Sequence, residues 1–149
     1  FKTEGRICSK AELSDINDDG KLEIIFGSCD NKVYALDCDG RELWSCETNF
    51  WVVPPPIVVD INNDGKKEVV VASYDHCLYI INNKGKLIAK YVFGLVDERN
   101  VSPILHDLLI KKKDGLIVGF TYFTNKKKHR NLVIATKEGH IEGISYQPV

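Results

Sequence analysis

Asp15–Ser28 reads DINDDGKLEIIFGS, and Asp60–Ser73 reads DINNDGKKEVVVAS, the same pattern 45 residues on. In the first copy Asp15, Asn17 and Asp19 alternate, Gly20 follows and Glu23 closes the stretch. Oxygen side chains at loop positions 1, 3 and 5 can converge on one point when the chain is tightly turned, and Gly20 permits the bend. Hard oxygen donors of this kind suit Ca²⁺, whereas Zn²⁺ prefers His and Cys. An EF-hand would carry a bidentate Glu at position 12 and continue into a helix. Here position 12 is Phe26, and the β-branched and aromatic run that follows reads as a strand. One such cluster could be an ordinary polar turn. The second copy, with Asp60, Asn62, Asp64, Gly65 and Glu68 in register, argues for a repeated metal loop.

The repeat extends past the loops. Lys32–Ser45 (KVYALDCDGRELWS) aligns with Cys77–Lys90 (CLYIINNKGKLIAK) at the same displacement, setting Tyr34 on Tyr79 and Gly40 on Gly85. Each unit reads as four short strands; in the first these fall in CSKAELSD, LEIIFGS, KVYALD and RELWSCE. Asp-Asn and Asp-Gly turns separate them, and no helical periodicity of useful length is present. Four antiparallel strands in a repeat of roughly 40–50 residues is the size of a β-propeller blade. A third unit keeps its strands and loses its loop: Ser102–Asp107 resembles Pro55–Asp60, but only Asp107 survives as a ligand. The expected fold is all-β, a propeller segment of about three four-stranded antiparallel blades. The repeats are about 1–50, 51–98 and 99–149, the third degenerate.

These residues carry a family resemblance. The two loops resemble those of FG-GAP/VCBS repeats, the integrin-α-like propeller repeats. Lys32–Trp44 is similar to the strands of quinoprotein (PQQ-type) propeller repeats, with their Tyr-Ala-Leu, Asp-Gly and Trp pattern. The resemblance implies two Ca²⁺ sites, one on Asp15, Asn17, Asp19 and Glu23, the other on Asp60, Asn62, Asp64 and Glu68. The backbone carbonyls of Lys21 and Lys66 complete the implied ligand sets. It brings no catalytic activity with it.

Composition excludes some alternatives. The chain has 149 residues and a formal net charge of −1. No apolar run approaches the ~20 residues of a membrane-spanning helix. Residues 1–100 hold 12 Lys/Arg against 17 Asp/Glu, and residues 101–149 hold 8 against 4. The basic excess sits at Lys111–Lys113 and Lys126–Arg130, without the interleaved aromatic residues or the module that nucleic-acid binding would require. Cys8, Cys29, Cys38, Cys46 and Cys77 form no Cys-x-x-Cys pair, and strand cysteines serve as small apolar fillers. The odd count leaves at least one thiol free or pairing elsewhere, and the filler reading argues mildly against an oxidising compartment. The calcium loops argue for one, so the expected localisation is extracytoplasmic, with the cytoplasm as the alternative.

His76, His106, His129 and His140 are scattered, and no catalytic constellation is legible. Trp44 reads as packing between blades; Trp51, beside Pro54–Pro56, reads as partly exposed. Phe1–Thr3 aligns with the end of a fourth strand, so the expectation is a segment of a longer propeller, completed by further blades or by self-association. Apolar blade faces are expected from Ile24, Phe26, Val33, Ala35, Val69, Val71 and Ile80. The expected function is a non-enzymatic, calcium-stabilised module presenting loops to a protein or glycan partner. The alternative is the propeller part of a larger enzyme, of quinoprotein dehydrogenase or polysaccharide lyase type.

Overall fold

The computed structural model describes residues 1–92, 117–124, 130–136 and 141–145, the last three stretches as backbone strands. Eleven strands are described, and no helix is found among the described residues. The first sheet contains β1 (Glu12–Ser14), β2 (Glu23–Gly27), β3 (Lys32–Leu36) and β4 (Glu42–Glu47). The second contains β5 (Ile57–Val59), β6 (Glu68–Ser73), β7 (Cys77–Ile81) and β8 (Leu87–Val92). Both are antiparallel meanders in chain order. A third sheet is formed by β9 (Ile117–Thr124), β10 (Arg130–Thr136) and β11 (Ile141–Ser145). Ser102–Asp107, the basic runs 111–113 and 126–129, and His106, His129 and His140 lie outside the described residues.

Strands β2, β5, β6 and β7 coincide with runs of Ile and Val, and the tight turns between strands use left-handed backbone. Gly40 (φ 78°) and Gly85 (φ 79°) close the β3–β4 and β7–β8 hairpins. The Asp37 and Asn82 side chains accept the Arg41 and Lys86 N–H groups at 2.8 and 2.9 Å, and a bulge follows in each strand pair. The two repeats are thus built alike down to single hydrogen bonds.

Side-chain alternation divides each sheet into two faces. Ile25, Val33, Ala35 and Cys46 of the first sheet meet Val69, Val71, Cys77, Tyr79 and Ile81 of the second in one buried cluster, joined by Ile16 and Val52. Phe26, Tyr34 and Leu36 cluster on the opposite face of the first sheet. Val59, Val70, Ala72, Leu78 and Ile80 do so on the far face of the second. The residues expected on open blade faces therefore divide. Val33, Ala35, Val69 and Val71 are inside the junction between sheets, while Ile24, Phe26 and Ile80 point away from it. Parity assigns a residue to a face of its strand, but not to a neighbouring blade.

Trp44 closes the junction at its outer edge. Its indole N–H donates to the Asn83 carbonyl at 3.1 Å. The ring lies so close to Gly85 that a Cβ there would be 2.7 Å from Trp44 Cγ. Trp44 therefore packs between blades, as its place in the repeat led one to expect.

Candidate functional site

Antiparallel connectivity sorts the loops by end. The β1–β2 and β5–β6 loops share one end of the sheets with the β3–β4 and β7–β8 turns. The β2–β3 and β6–β7 hairpins share the other end with the β4–β5 connection.

At the first end the two acidic loops have nearly the same internal geometry. Asp15 accepts the Asp19 and Gly20 N–H groups at 3.2 and 3.0 Å, one on each carboxylate oxygen. Asn17 Oδ1 accepts the same Asp19 N–H at 3.0 Å, and its amide donates to Asp19 at 3.2 Å. Asp19 also accepts the Lys21 N–H at 2.8 Å. Asp60, Asn62, Asp64, Gly65 and Lys66 repeat every one of these contacts within 0.2 Å. Asp18 (φ 63°) and Asn63 (φ 61°) turn the chain through left-handed backbone, where Asp and Asn are tolerated. The backbone N–H of Lys66, and then the Asn62 amide, hold the Asp64 carboxyl below the usual carboxylate range.

Glu23 and Glu68 are placed differently. Both are buried, and each accepts the N–H of loop position 2, Ile16 at 2.9 Å and Ile61 at 3.0 Å. The structure thus gathers the first three ligand candidates of each loop through shared N–H groups, and ties the glutamates to the loop backbone. Among the described residues no three His, Cys, Asp or Glu side chains form a metal-holding group. Lys67, which carried no signal in the sequence, donates to the Asp15 carbonyl at 2.8 Å and to Ser14 Oγ at 3.2 Å, joining the second loop to the first.

The donor set fits a hard cation. Each carboxylate oxygen of Asp15, Asp19, Asp60 and Asp64 accepts one of these loop hydrogen bonds. A carboxylate has about four lone-pair directions, so capacity for a cation remains on all four. The side-chain donors are all oxygen, as Ca²⁺ requires.

At the opposite end, Phe50 and Trp51 stack with ring centroids 5.0 Å apart and planes 8° from parallel. The two residues are 43% and 44% exposed, while Val52 beside them is fully buried. The backbone beneath is held firmly. Phe50 C=O accepts the hydroxyls of Thr48 and Ser73 at 2.6 and 3.0 Å, and Trp51 C=O accepts the Tyr74 N–H at 2.9 Å. Gly5 and Arg6, 45 residues earlier, provide the same carbonyl contacts to Thr3 and Cys29. The connection therefore needs only backbone at these positions, and the aromatic rings are additional to it.

Close by, the Tyr79 hydroxyl donates to Asp75 and accepts the Asn49 N–H at 3.1 Å. Tyr34 repeats the motif, donating to Asp30 at 2.9 Å. Burial, and then that hydrogen bond, push the Tyr34 phenol up to about 12. The aligned tyrosines thus pin their hairpins. Cys46 and Cys77 fill the core as read from the sequence, whereas Cys8, Cys29 and Cys38 lie outside it.

Comparison with solved structures shows the same fold. BBS1N in complex with ARL6DN matches 95% of this chain at 14% identity and a TM-score of 0.63, this chain covering 40% of it. BamB from Moraxella catarrhalis matches 97% at 15% identity and a TM-score of 0.58, with 35% of it covered. The chain thus spans less than half the length of these propeller structures. No curated protein matches it. The model of the lambda-carrageenase beta-propeller domain matches residues 4–89, more than half of the sequence and most of the two intact repeats. On that match the chain belongs to the lambda-carrageenase β-propeller domain family.

Proposed function

We propose that this chain is a non-catalytic recognition segment of a longer propeller, stapled by calcium at one end and facing a polysaccharide with the other. The observation that carries the recognition role is the Phe50–Trp51 stack: two exposed rings on a backbone already fixed by hydrogen bonds to Thr48, Ser73 and Tyr74. Exposed aromatic faces bind the C–H faces of sugar rings through dispersion and apolar burial. A rigid platform loses little entropy on binding. Membership of a family named for a carrageenan-degrading enzyme supports a glycan as the partner.

Two Ca²⁺ ions would be held by Asp15, Asn17, Asp19 and the Lys21 carbonyl with Glu23, and by Asp60, Asn62, Asp64 and the Lys66 carbonyl with Glu68, in the FG-GAP/VCBS manner. The cation would supply positive charge to a cluster of carboxylates that otherwise repel one another. Binding to the folded state alone stabilises it by roughly 2.7 kcal/mol at 100 times the dissociation constant. Because each loop joins adjacent strands of one sheet, the ion acts as a staple and not as a switch.

The chain is non-enzymatic in this reading, and any hydrolytic chemistry belongs to other parts of the longer protein. A protein partner is the second reading, favoured by the likeness to BBS1N, which is solved in complex with ARL6. Affinity electrophoresis through gels containing lambda-carrageenan separates the two. Retardation that persists at high salt, where charge attraction is screened, and that is lost in Trp51→Ala supports the glycan platform. Migration unaffected by the polysaccharide, or equal retardation of Trp51→Ala, overturns it.

A further inference from the structure

Cys8 and Cys29 are 21 residues apart in sequence, yet their sulfurs stand 3.6 Å apart. The backbone brings them together. Arg6 C=O accepts the Cys29 N–H at 2.8 Å, and Asp30 Oδ2 accepts the Glu4 N–H at 3.1 Å. Gly5 lies so tightly against the hairpin that a Cβ there would meet the Asp30 nitrogen at 2.3 Å. The segment leading into the first sheet is thus docked on the β2–β3 hairpin before either thiol contributes. The next repeat makes the same dock, Tyr74 N–H to Trp51 C=O, with Val53 and Tyr74 where the first has Cys8 and Cys29. Docking therefore does not require the sulfurs. Cys8 is exposed and Cys29 partly so, which opens the pair to small reagents; Cys46 and Cys77 are buried.

We propose that Cys8 and Cys29 form a disulfide that locks the entering segment, residues 3–8, to the first hairpin. The oxidant is a small-molecule disulfide such as oxidised glutathione. The Cys8 thiolate, the more exposed of the two, attacks one glutathione sulfur, breaking that S–S bond and releasing a glutathione thiolate. Cys29 then loses its proton to solvent and attacks Cys8 Sγ. The protein S–S bond forms as the second glutathione thiolate leaves. Two electrons pass from the cysteine pair to glutathione disulfide, which becomes two thiols. The sulfurs must close from 3.6 Å to about 2.05 Å, a movement within reach of side-chain torsions. The bond closes a loop across β1 and β2 and restricts the unfolded chain, so oxidation raises the melting temperature, by about 5 °C or more.

The test equilibrates the 149-residue chain in glutathione buffers of graded potential, quenches by alkylation and maps the peptides. The expected result is a loss of two hydrogens per chain, a Cys8–Cys29 linked peptide, an alkylated Cys38 and a higher melting temperature that dithiothreitol reverses. Cys8→Ser should show no linked peptide and no thermal gain, and Cys38→Ser should behave as the parent. Alkylation of both Cys8 and Cys29 under oxidising buffer, stable glutathione adducts without a link, pairing with Cys38, or a link that leaves the melting temperature unchanged would each overturn the proposal.

Discussion

Gly85→Ala tests the junction between the first two sheets with an internal control. Gly85 and Gly40 occupy the same turn position, with φ values of 79° and 78°, and their N–H groups make the same 3.0 Å bond to Asn82 and Asp37 carbonyls. Placing alanine in left-handed backbone costs about 1–2 kcal/mol at either position. The surroundings differ. A Cβ at Gly40 meets nothing within 4 Å, whereas at Gly85 it would lie 2.7–2.8 Å from Trp44 Cγ, Cβ and Cδ2. Trp44 is held by its bond to Asn83, so it cannot yield without losing that contact. Overpacking of this kind costs about 1–3 kcal/mol. Gly85→Ala should therefore be less stable than Gly40→Ala by about 1–3 kcal/mol, read as a shift in urea midpoint at constant slope. In a Trp44→Ala background the excess should vanish. Equal losses for the two alanine variants, or an excess that survives removal of Trp44, would show that the Trp44–turn contact does not join the sheets.

Glu23→Ala should cost about 1–3 kcal/mol in calcium-free buffer, because it strands the buried Ile16 N–H, while Glu23→Gln, which keeps an acceptor, should cost about 1 kcal/mol; chemical denaturation of both variants checks this. Tyr34 holds its proton more tightly when folded, with its phenol near 12, so its contribution is fully present below pH 10 and is lost as pH rises through about 12. At 1.36 kcal/mol per pKa unit this is of order 2 kcal/mol, and Tyr34→Phe should lose correspondingly less stability between pH 10 and 12 in denaturation curves.

The paired acidic loops were legible because a 45-residue period repeats both their oxygens and the strands that follow, which no isolated turn can do. Trp44 was legible for the same reason: its place in the repeat put it at the edge of a blade, where it meets the next turn. Other features depend on how the repeats curve around one another. Alternation put Phe26 and Val33 on faces of their strands, but only the packing shows that Val33 is inside the junction and Phe26 on the far side. Lys67 reaches Asp15 across two sheets, and Cys8 meets Cys29 because the entering segment folds back on a hairpin. The first is a contact between repeats and the second joins two distant parts of one repeat, and strand alternation is blind to both. Glu23 read as the last oxygen of a loop. The structure shows one of those oxygens committed to Ile16, so the residue also closes the turn from within.

Calorimetric titration of the calcium-free chain with Ca²⁺ tests the staple most directly. The account predicts two bound ions per chain, with one lost in Asp19→Ala, the other in Asp64→Ala, and none left in the double variant. Absence of binding heat up to millimolar calcium, or a stoichiometry that neither substitution changes, would contradict it.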